Sequence, residues 1–317
     1  MFDRRIGGYA HKPPGFPASM PDCPKFGRRL ASILMTPPSR AFHSTRTPAR
    51  VPVLLSVPHA GRAYTPGLLA LARVPAPTLA LLEDPFVDRL IDGGVATGAA
   101  AIVADAPRAE IDLNRALDDF DHGMLADPPQ AASGMSHRAS AGLGLIPSRL
   151  ASHGALWHRG LDADDVARRV ATIYEPYHQA LAETLTGLRD RYGVAILIDC
   201  HSMPSRPGMA AGVVLGDRMG ETCGEWLIAV AENACADARL PSVRNDPYAG
   251  GEIVRRHGEP SANVHALQVE FDRSLYLNSS SRPDAAGVAR MSRLITAIVT
   301  RAADAAAAQS PPAIAAE

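Results

Sequence analysis

Apolar runs of about the length of a buried strand recur along the chain from residue 51 onwards. They predict five strands, at residues 51–57, 99–105, 194–200, 211–215 and 264–271. Segments with apolar residues at helical spacing predict helices between and after them, at 79–95, 162–192, 220–238 and 284–308. Pro85 and Pro176 fall inside two of these segments and must start or kink a helix there. The alternation predicts one three-layer α/β domain over 51–308, with a mixed, mostly parallel sheet and helices on both faces.

The first fifty residues differ in composition from the rest of the chain. They carry nine Lys or Arg against two Asp or Glu and are rich in Pro, Ser and Gly. Because such a segment buries little apolar surface, residues 1–50 are predicted to be a disordered basic arm, with a leader of the transit type as the alternative. The tail at 309–317 is expected to fray. Residues 120–148 are expected to form a long loop, which inside a domain is often a lid.

Charge and composition argue against several kinds of partner. The formal net charge of −1 gives no reason to expect nucleic acid or an anionic membrane, and no run of 18 apolar residues occurs. The four cysteines have no C-x-x-C spacing, which favours a reduced cytoplasm over a disulfide scaffold. Nucleic acid and membrane are therefore not expected as partners, and the sequence makes no prediction of oligomeric state.

Polar residues stand at the carboxyl ends of several predicted strands. His59 follows the first strand, Arg108 the second and His201 the third. Glu270 lies inside the last strand, where a lone carboxylate is costly. Each has an ordinary structural explanation when taken alone, as a turn, capping or ion-pairing residue. Together, two histidines and an acid near strand ends, with a buried glutamate, supply the three ligands, open position and general base of a catalytic zinc site.

Six motifs along the chain carry a family resemblance: SVPHAGR, LLEDPFVDRL, PRAEIDLNR, LIDCHSMP, RNDPYAGGEI and HALQVEFDR. In this order they resemble the N-formylglutamate amidohydrolase family over about 51–298, and the order is similar to that of the wider zinc carboxypeptidase and aspartoacylase group. The resemblance implies a zinc carboxypeptidase-like fold. It also implies zinc-dependent hydrolysis of an N-acyl amino acid, foremost N-formyl-L-glutamate to formate and L-glutamate in histidine degradation. A different N-acyl amino acid as substrate, or a non-catalytic ligand-binding relative, are the alternatives.

The same resemblance assigns roles to individual residues. His59 and His201 are similar to the zinc-binding histidines, with one zinc ion per chain. The acidic ligand is Asp84, with Glu83 as the alternative. Glu270 corresponds to the general base of the family.

Further residues correspond to groups that contact the substrate. Arg108 is similar to the arginine that polarises the scissile carbonyl, and Asn114 and Arg115 to the clamp on a substrate carboxylate. A planar guanidinium fork is a natural partner for that group.

The RNDPYAGG stretch is predicted to be a substrate loop, with an ordinary glycine turn as the alternative. Gly250 and Gly251 allow close approach of the backbone, and Arg244 or Asn245 could meet a second substrate carboxylate. Asp199 is expected on the strand face opposite to His201, as a cap of the strand or an orienting group for a neighbour.

Overall fold

The computed structural model describes residues 40–126, 136–206, 210 and 212–309. The strands within this part of the chain are β1 (Phe42–Ser44), β2 (Val53–Val57), β3 (Ala100–Ala104), β4 (Arg149–Leu150), β5 (Gly154–Ala155), β6 (Ala195–Met203), β7 (Val213–Gly216), β8 (Ser242–Arg244) and β9 (Val264–Asp272). β4 and β5 pair with each other as a small hairpin, and the other seven form one sheet.

The order of the seven strands across the sheet is β1-β3-β2-β6-β9-β7-β8. The four central strands, β3, β2, β6 and β9, run parallel to one another. β1 and the β7–β8 pair run antiparallel to their neighbours β3 and β9. The sheet is therefore mixed and mostly parallel, which confirms the predicted class.

Helices surround the sheet and include two long ones. Their bounds are α1 (Pro66–Leu71), α2 (Ala76–Leu79), α3 (Val87–Leu90), α4 (Asp92–Ala96), α5 (His137–Ser140), α6 (Ala163–Arg169), α7 (Glu175–Tyr192), α8 (Glu225–Asp237), α9 (Glu252–His257) and α10 (Ala285–Gln309). Pro176 follows a π-helical turn (Val170–Tyr174) that joins α6 to α7, and Pro85 separates a 3₁₀ turn from α3. No helix of the described residues is long and apolar enough to cross a membrane.

The sheet buries both of its faces. Alternate residues of each strand point to opposite sides, so Leu55 packs in the core with α3, α4, α8 and α10, whereas Leu54 packs in the core with α7 and α9. α7 presents Tyr177, Leu181 and Leu185 to the sheet at a helical spacing. Helices on both faces give the three layers that the sequence predicted.

The fold departs from the sequence-based expectation at the amino-terminal boundary. Phe42–Ser44 pairs with β3 as an edge strand, the Phe42 ring packs edge-on against Tyr177 at 5.7 Å, and Tyr192 donates to the Ala49 carbonyl at 3.0 Å. Residues 40–50 therefore belong to the fold rather than to the arm, because main-chain pairing holds a segment that has few apolar side chains. Residues 1–39, the tail 310–317 and the loop segment 127–135 lie outside the described residues.

Short elements near the site, among them β8 and α9, were not predicted. β8 has three residues and α9 six, which is too short for a periodic pattern to be visible. β6 is also longer than predicted and continues through His201 to Met203. The carboxyl end of the central strand thus carries polar side chains while it is still paired with β9.

Candidate active site

The predicted site residues meet at the carboxyl edge of the parallel strands. His59 lies two residues beyond β2, and His201 lies near the carboxyl end of β6. Glu270 on β9 is paired with His201 across the two strands. They line a cavity of about 290 Å³. Ligands in open α/β sheets bind outside this edge.

Two histidines and one aspartate converge on one point of the cavity. His59 Nδ1 lies 3.3 Å and His201 Nδ1 lies 3.0 Å from the same oxygen, Oδ2 of Asp84. The three ligand atoms lie within 4.8 Å of one another, and each side chain is about 2% exposed. Two imidazoles and a carboxylate at this separation form a donor set that can hold a divalent cation such as zinc.

The outer nitrogen of each histidine is held by a further carboxylate. His59 Nε2 lies 2.8 Å from Asp112, and His201 Nε2 lies 2.8 Å from Asp199. Carboxylates in this position fix the ring and direct the other nitrogen towards a metal. The arrangement leaves Nδ1 of both rings facing Asp84.

Asp84 and His201 stabilise each other's charged forms. Burial opposes ionisation of Asp84, but hydrogen bonds with His201 and His59 outweigh it and hold the pKa of the carboxyl well below its usual value. Burial also opposes a charge on His201, but Asp199 and Asp84 outweigh it and raise the pKa of the imidazole well above its usual value. A proton on His201 Nδ1 thus occupies a position between nitrogen and carboxylate that a metal cation can also fill.

The structure distinguishes the two acids that the sequence left open. The Glu83 carboxylate accepts a hydrogen bond from Tyr64 OH and lies 3.7 Å from Arg62, so it faces away from the histidines. The main chain of Asp84 donates to the His59 carbonyl at 2.9 Å, which places its carboxylate between the rings. Asp84 therefore belongs to the cluster and Glu83 does not.

The position of Asp199 differs from the sequence-based expectation. Residues two apart on a strand face the same side, and Asp199 contacts His201 on the face that also holds Tyr177. Its other oxygen accepts a hydrogen bond from Ser56 Oγ at 2.8 Å. Placing Asp199 on the opposite face was wrong, whereas the alternative that it orients a neighbour agrees with the structure.

Glu270 is buried beside the histidine cluster and is 8% exposed. Burial raises its pKa to about 7, with the negative charge of Asp84 adding to the effect and His201 opposing it. Gln268 donates from Nε2 to Glu270 Oε1 at 3.0 Å, while its own Oε1 accepts from Gly251 N at 2.8 Å and Asn114 Nδ2 at 3.1 Å. A carboxyl with this pKa can accept or donate a proton near neutral pH.

Two predicted arginines line the cavity with their side chains fixed. Arg108 Nε donates to Asp112 Oδ2 at 2.9 Å. Arg115 donates from Nε to the Leu143 carbonyl at 3.0 Å and from Nη1 to the Asn114 carbonyl at 2.8 Å. Among the described residues, Arg115 Nη2 has no hydrogen-bond partner.

Asn114 lines the cavity, but its amide group has partners within the protein. Its Oδ1 accepts from Ile253 N at 2.8 Å and its Nδ2 donates to Gln268. Asn114 therefore holds α9 and Gln268 in place, which leaves Arg115 as the candidate for the predicted carboxylate clamp.

The glycine loop reaches the cavity, as predicted for Gly250 and Gly251. A Cβ on Gly251 would lie 2.4 Å from the Asn114 amide, and Gly250 has a φ of 113°. The backbone approaches the site so closely that a side chain has no room.

Arg244 and Asn245 differ from their predicted role. Arg244 Nη1 donates to Glu225 at 2.9 Å and its Nε to Glu232 at 2.6 Å, both on α8. Asn245 Nδ2 donates to Asp217 at 2.7 Å. Neither residue lines the cavity, because ion pairs and turn hydrogen bonds engage their side chains, and the structure does not support their predicted role.

Sequence reasoning missed several lining or supporting residues: Asp112, Arg138, Tyr248, Gln268 and Arg273. The period of a strand could have found Gln268, which is two residues before Glu270 and so shares its face. Arg138 comes from a segment that has no sequence pattern to indicate its position.

Comparison with known proteins finds relatives of similar sequence and fold. An N-formylglutamate deformylase from Pseudomonas aeruginosa is 32% identical over 244 residues, which cover 73% of this chain and 84% of that protein. One from Pseudomonas putida is 32% identical over 252 residues, covering 76% and 85%. The crystal structure of an N-formylglutamate amidohydrolase from Ralstonia eutropha JMP134 has a TM-score of 0.76 at 30% identity, covering 84% of this chain and 98% of that one.

The family model described as N-formylglutamate amidohydrolase matches residues 51–277. Fold, site and relatives together define an amidohydrolase. The chain belongs to the N-formylglutamate amidohydrolase family.

Proposed function

We propose that this chain hydrolyses N-formyl-L-glutamate to formate and L-glutamate, with one zinc ion held by His59, Asp84 and His201. The observation that carries the proposal is the convergence of these three ligand atoms beside Glu270 in one cavity. The names of the two Pseudomonas relatives support the substrate.

The donor set supports zinc as the metal. Two imidazole nitrogens and one carboxylate, each histidine backed by a further carboxylate, match the three protein ligands of catalytic zinc sites. When bound, zinc lowers the pKa of a coordinated water to about 7 and so makes hydroxide available at neutral pH.

Glu270 and Arg108 then act on the reacting atoms. Glu270 takes a proton from the attacking water and returns it to the leaving nitrogen, so the C–O bond forms and the C–N bond breaks with protons in balance. Arg108, fixed by Asp112, provides a positive charge for the carbonyl oxygen as negative charge develops there. Arg115 binds the α-carboxylate through its remaining donors.

The proposal extends to the setting of the reaction. Release of glutamate from N-formylglutamate is the last step of one route of histidine degradation. A cytoplasmic location fits Cys200, Cys223 and Cys235, which are buried free thiols.

Metal analysis and a substrate assay test the proposal together. The purified chain should bind one zinc ion and release formate from N-formyl-L-glutamate, and Glu270→Gln should keep the zinc but lose most of the activity. N-acetyl-L-glutamate, which differs from N-formyl-L-glutamate only in its acyl group, is the comparison substrate. Preference for it would transfer the function to another N-acyl amino acid, and zinc-independent activity would exclude the mechanism.

A further inference from the structure

The arginines that line the cavity differ in how their charges are matched. Arg108 is paired with Asp112 at 2.9 Å, and Arg273 lies 3.2 Å from Asp84 Oδ1. These two guanidinium groups belong to close ion pairs of the histidine cluster. Within the described residues, the other two, Arg115 and Arg138, have no carboxylate partner as close.

Arg115 is only 9% exposed, yet its short hydrogen bonds go to main-chain carbonyls. The nearest carboxylates are Asp112 at 3.9 Å and Asp119 at 4.0 Å. Asp112 is already shared with Arg108 and His59. A buried guanidinium with such distant counter-charges favours an anionic ligand beside it.

Arg138, an exposed residue of α5, lines the same cavity. Its guanidinium lies over the ring of Tyr248 at 5.3 Å from the centroid, and no carboxylate of the described residues lies within ion-pair distance of it. The aromatic face orients the group without neutralising it. Burial lowers the pKa of Arg115, and the nearby charges of Arg108 and Arg138 add to that effect.

We propose that Arg138 is the specificity-determining residue for the side-chain carboxylate of the substrate, while Arg115 binds the α-carboxylate. The inference rests on the proposed function and selects N-acyl derivatives of acidic amino acids. One cavity presents two guanidinium groups that repel each other, and a dianion with two carboxylates matches both charges. A substrate with a neutral side chain leaves Arg138 unmatched.

Two substrates of nearly equal shape test the proposal. N-formyl-L-glutamine replaces the side-chain carboxylate of N-formyl-L-glutamate by an amide. Arg138→Gln should lower kcat/KM for the glutamate substrate about ten- to hundredfold, mainly through KM, because the contact exists before and during the reaction. The value for the glutamine substrate should change less than about threefold, so the preference between the two substrates collapses.

Matched variants separate this effect from folding and net charge. Arg138→Lys keeps the charge and should restore part of the preference. Arg159→Gln removes a charge from a side chain that is 63% exposed, and it should not change kcat/KM for either substrate. An equal loss on both substrates in Arg138→Gln, or no loss on either, would overturn the proposal.

Product binding distinguishes failure of this inference from failure of the proposed function. Calorimetry of the zinc-loaded protein should give weaker binding of L-glutamate to Arg138→Gln than to wild type, with L-glutamine binding unchanged. A wild type that hydrolyses neither substrate would refute the proposed function, and the glutamate titration would still decide the role of Arg138. Equal affinity of both proteins for L-glutamate would refute that role.

Discussion

Asp199 and His201 face the same side of β6, and the Asp199 carboxylate holds Nε2 of the imidazole at 2.8 Å. This contact leaves Nδ1 as the only ring nitrogen that can face Asp84. The aspartate is fully buried and is itself held by Ser56. Strand period, a buried acid and ring orientation thus combine to determine which nitrogen of His201 is available to a metal.

Asp199→Asn should weaken zinc binding about 10–100-fold, because the neutral amide supports the ring less well than a carboxylate. Competition with a chelator of known affinity measures the change. Ser56→Ala, which removes the hydrogen bonds of Ser56 with Asp199 and Tyr177 but keeps the Asp199 carboxylate, serves as the control and should have a smaller effect. Unchanged zinc affinity in Asp199→Asn would show that the contact does not tune the site.

Substitutions of the neighbouring acids Glu83 and Asp84 should differ in their effect on zinc affinity. Asp84→Asn should lower zinc affinity by more than the roughly 10–100-fold cost of a supporting residue, since a ligand atom is lost. Glu83→Gln should retain the zinc, because its carboxylate interacts with Tyr64 and Arg62 instead. Zinc content per chain, measured after dialysis, decides between them, and the reverse pattern would make Glu83 the ligand.

Glu270→Gln should lower kcat by about 10²–10⁴ and leave KM and zinc content nearly unchanged. The amide keeps the shape of the side chain and the contact with Gln268 but cannot accept a proton. Steady-state kinetics on zinc-loaded protein measure both parameters. If kcat stays near normal, Glu270 is only a buried structural acid.

Arg115→Lys should have the opposite kinetic signature. A lysine ammonium cannot donate to the Leu143 and Asn114 carbonyls and to a substrate carboxylate with the geometry of the fork, so KM should rise about tenfold or more while kcat changes little. The diagnostic substrate is the derivative of N-formyl-L-glutamate in which an amide replaces the α-carboxylate. Wild type and variant should differ little on it, and a large difference would show that Arg115 acts on the reaction itself.

The sequence predicted the parts of this protein that depend on local pattern. Apolar runs gave the central strands, and the polar residues that follow them gave His59 and His201, because strand ends of a parallel sheet meet at one edge. The position of Arg244 could not be predicted from local pattern. Its partners Glu225 and Glu232 come from α8, and only the packing of that helix beside β8 determines that the arginine faces away from the cavity.

Short or unpatterned segments were beyond the reach of sequence analysis for a related reason. Phe42–Ser44 forms a strand because β3 offers a free edge, not because its own residues favour one. Arg138 reaches the cavity from α5, a helix of one turn, so its position depends on tertiary contacts such as that with Tyr248. His59 and His201 were predictable because they lie at the ends of strong strands, whereas Arg138 was not.

A histidine pair, in which His178 is buried and His257 is half-buried, contacts the segment that carries Asp112 and Asn114. His178 lies 3.0 Å from the Leu113 carbonyl through Nε2, and its Nδ1 lies 2.9 Å from His257 Nε2. For both contacts to be hydrogen bonds, His178 must donate to the carbonyl and accept from a neutral His257. Burial lowers the pKa of His178 to about 2, with the charges of His257 and Arg256 adding to it, and burial lowers the pKa of His257 to about 4.

The free energy of unfolding should therefore fall as the pH drops from about 6.5 towards 4. In this window the unfolded chain binds protons at both histidines while the folded chain does not, so each pH unit costs about 1.4 kcal/mol for His178 alone. Urea unfolding of the metal-free protein between pH 7.5 and 4.5 measures the slope. His178→Gln keeps a donor for the Leu113 carbonyl but cannot titrate, so its slope should be shallower than that of wild type or of the exposed control His158→Gln. Parallel curves for all three proteins would show that the histidine pair does not govern acid stability.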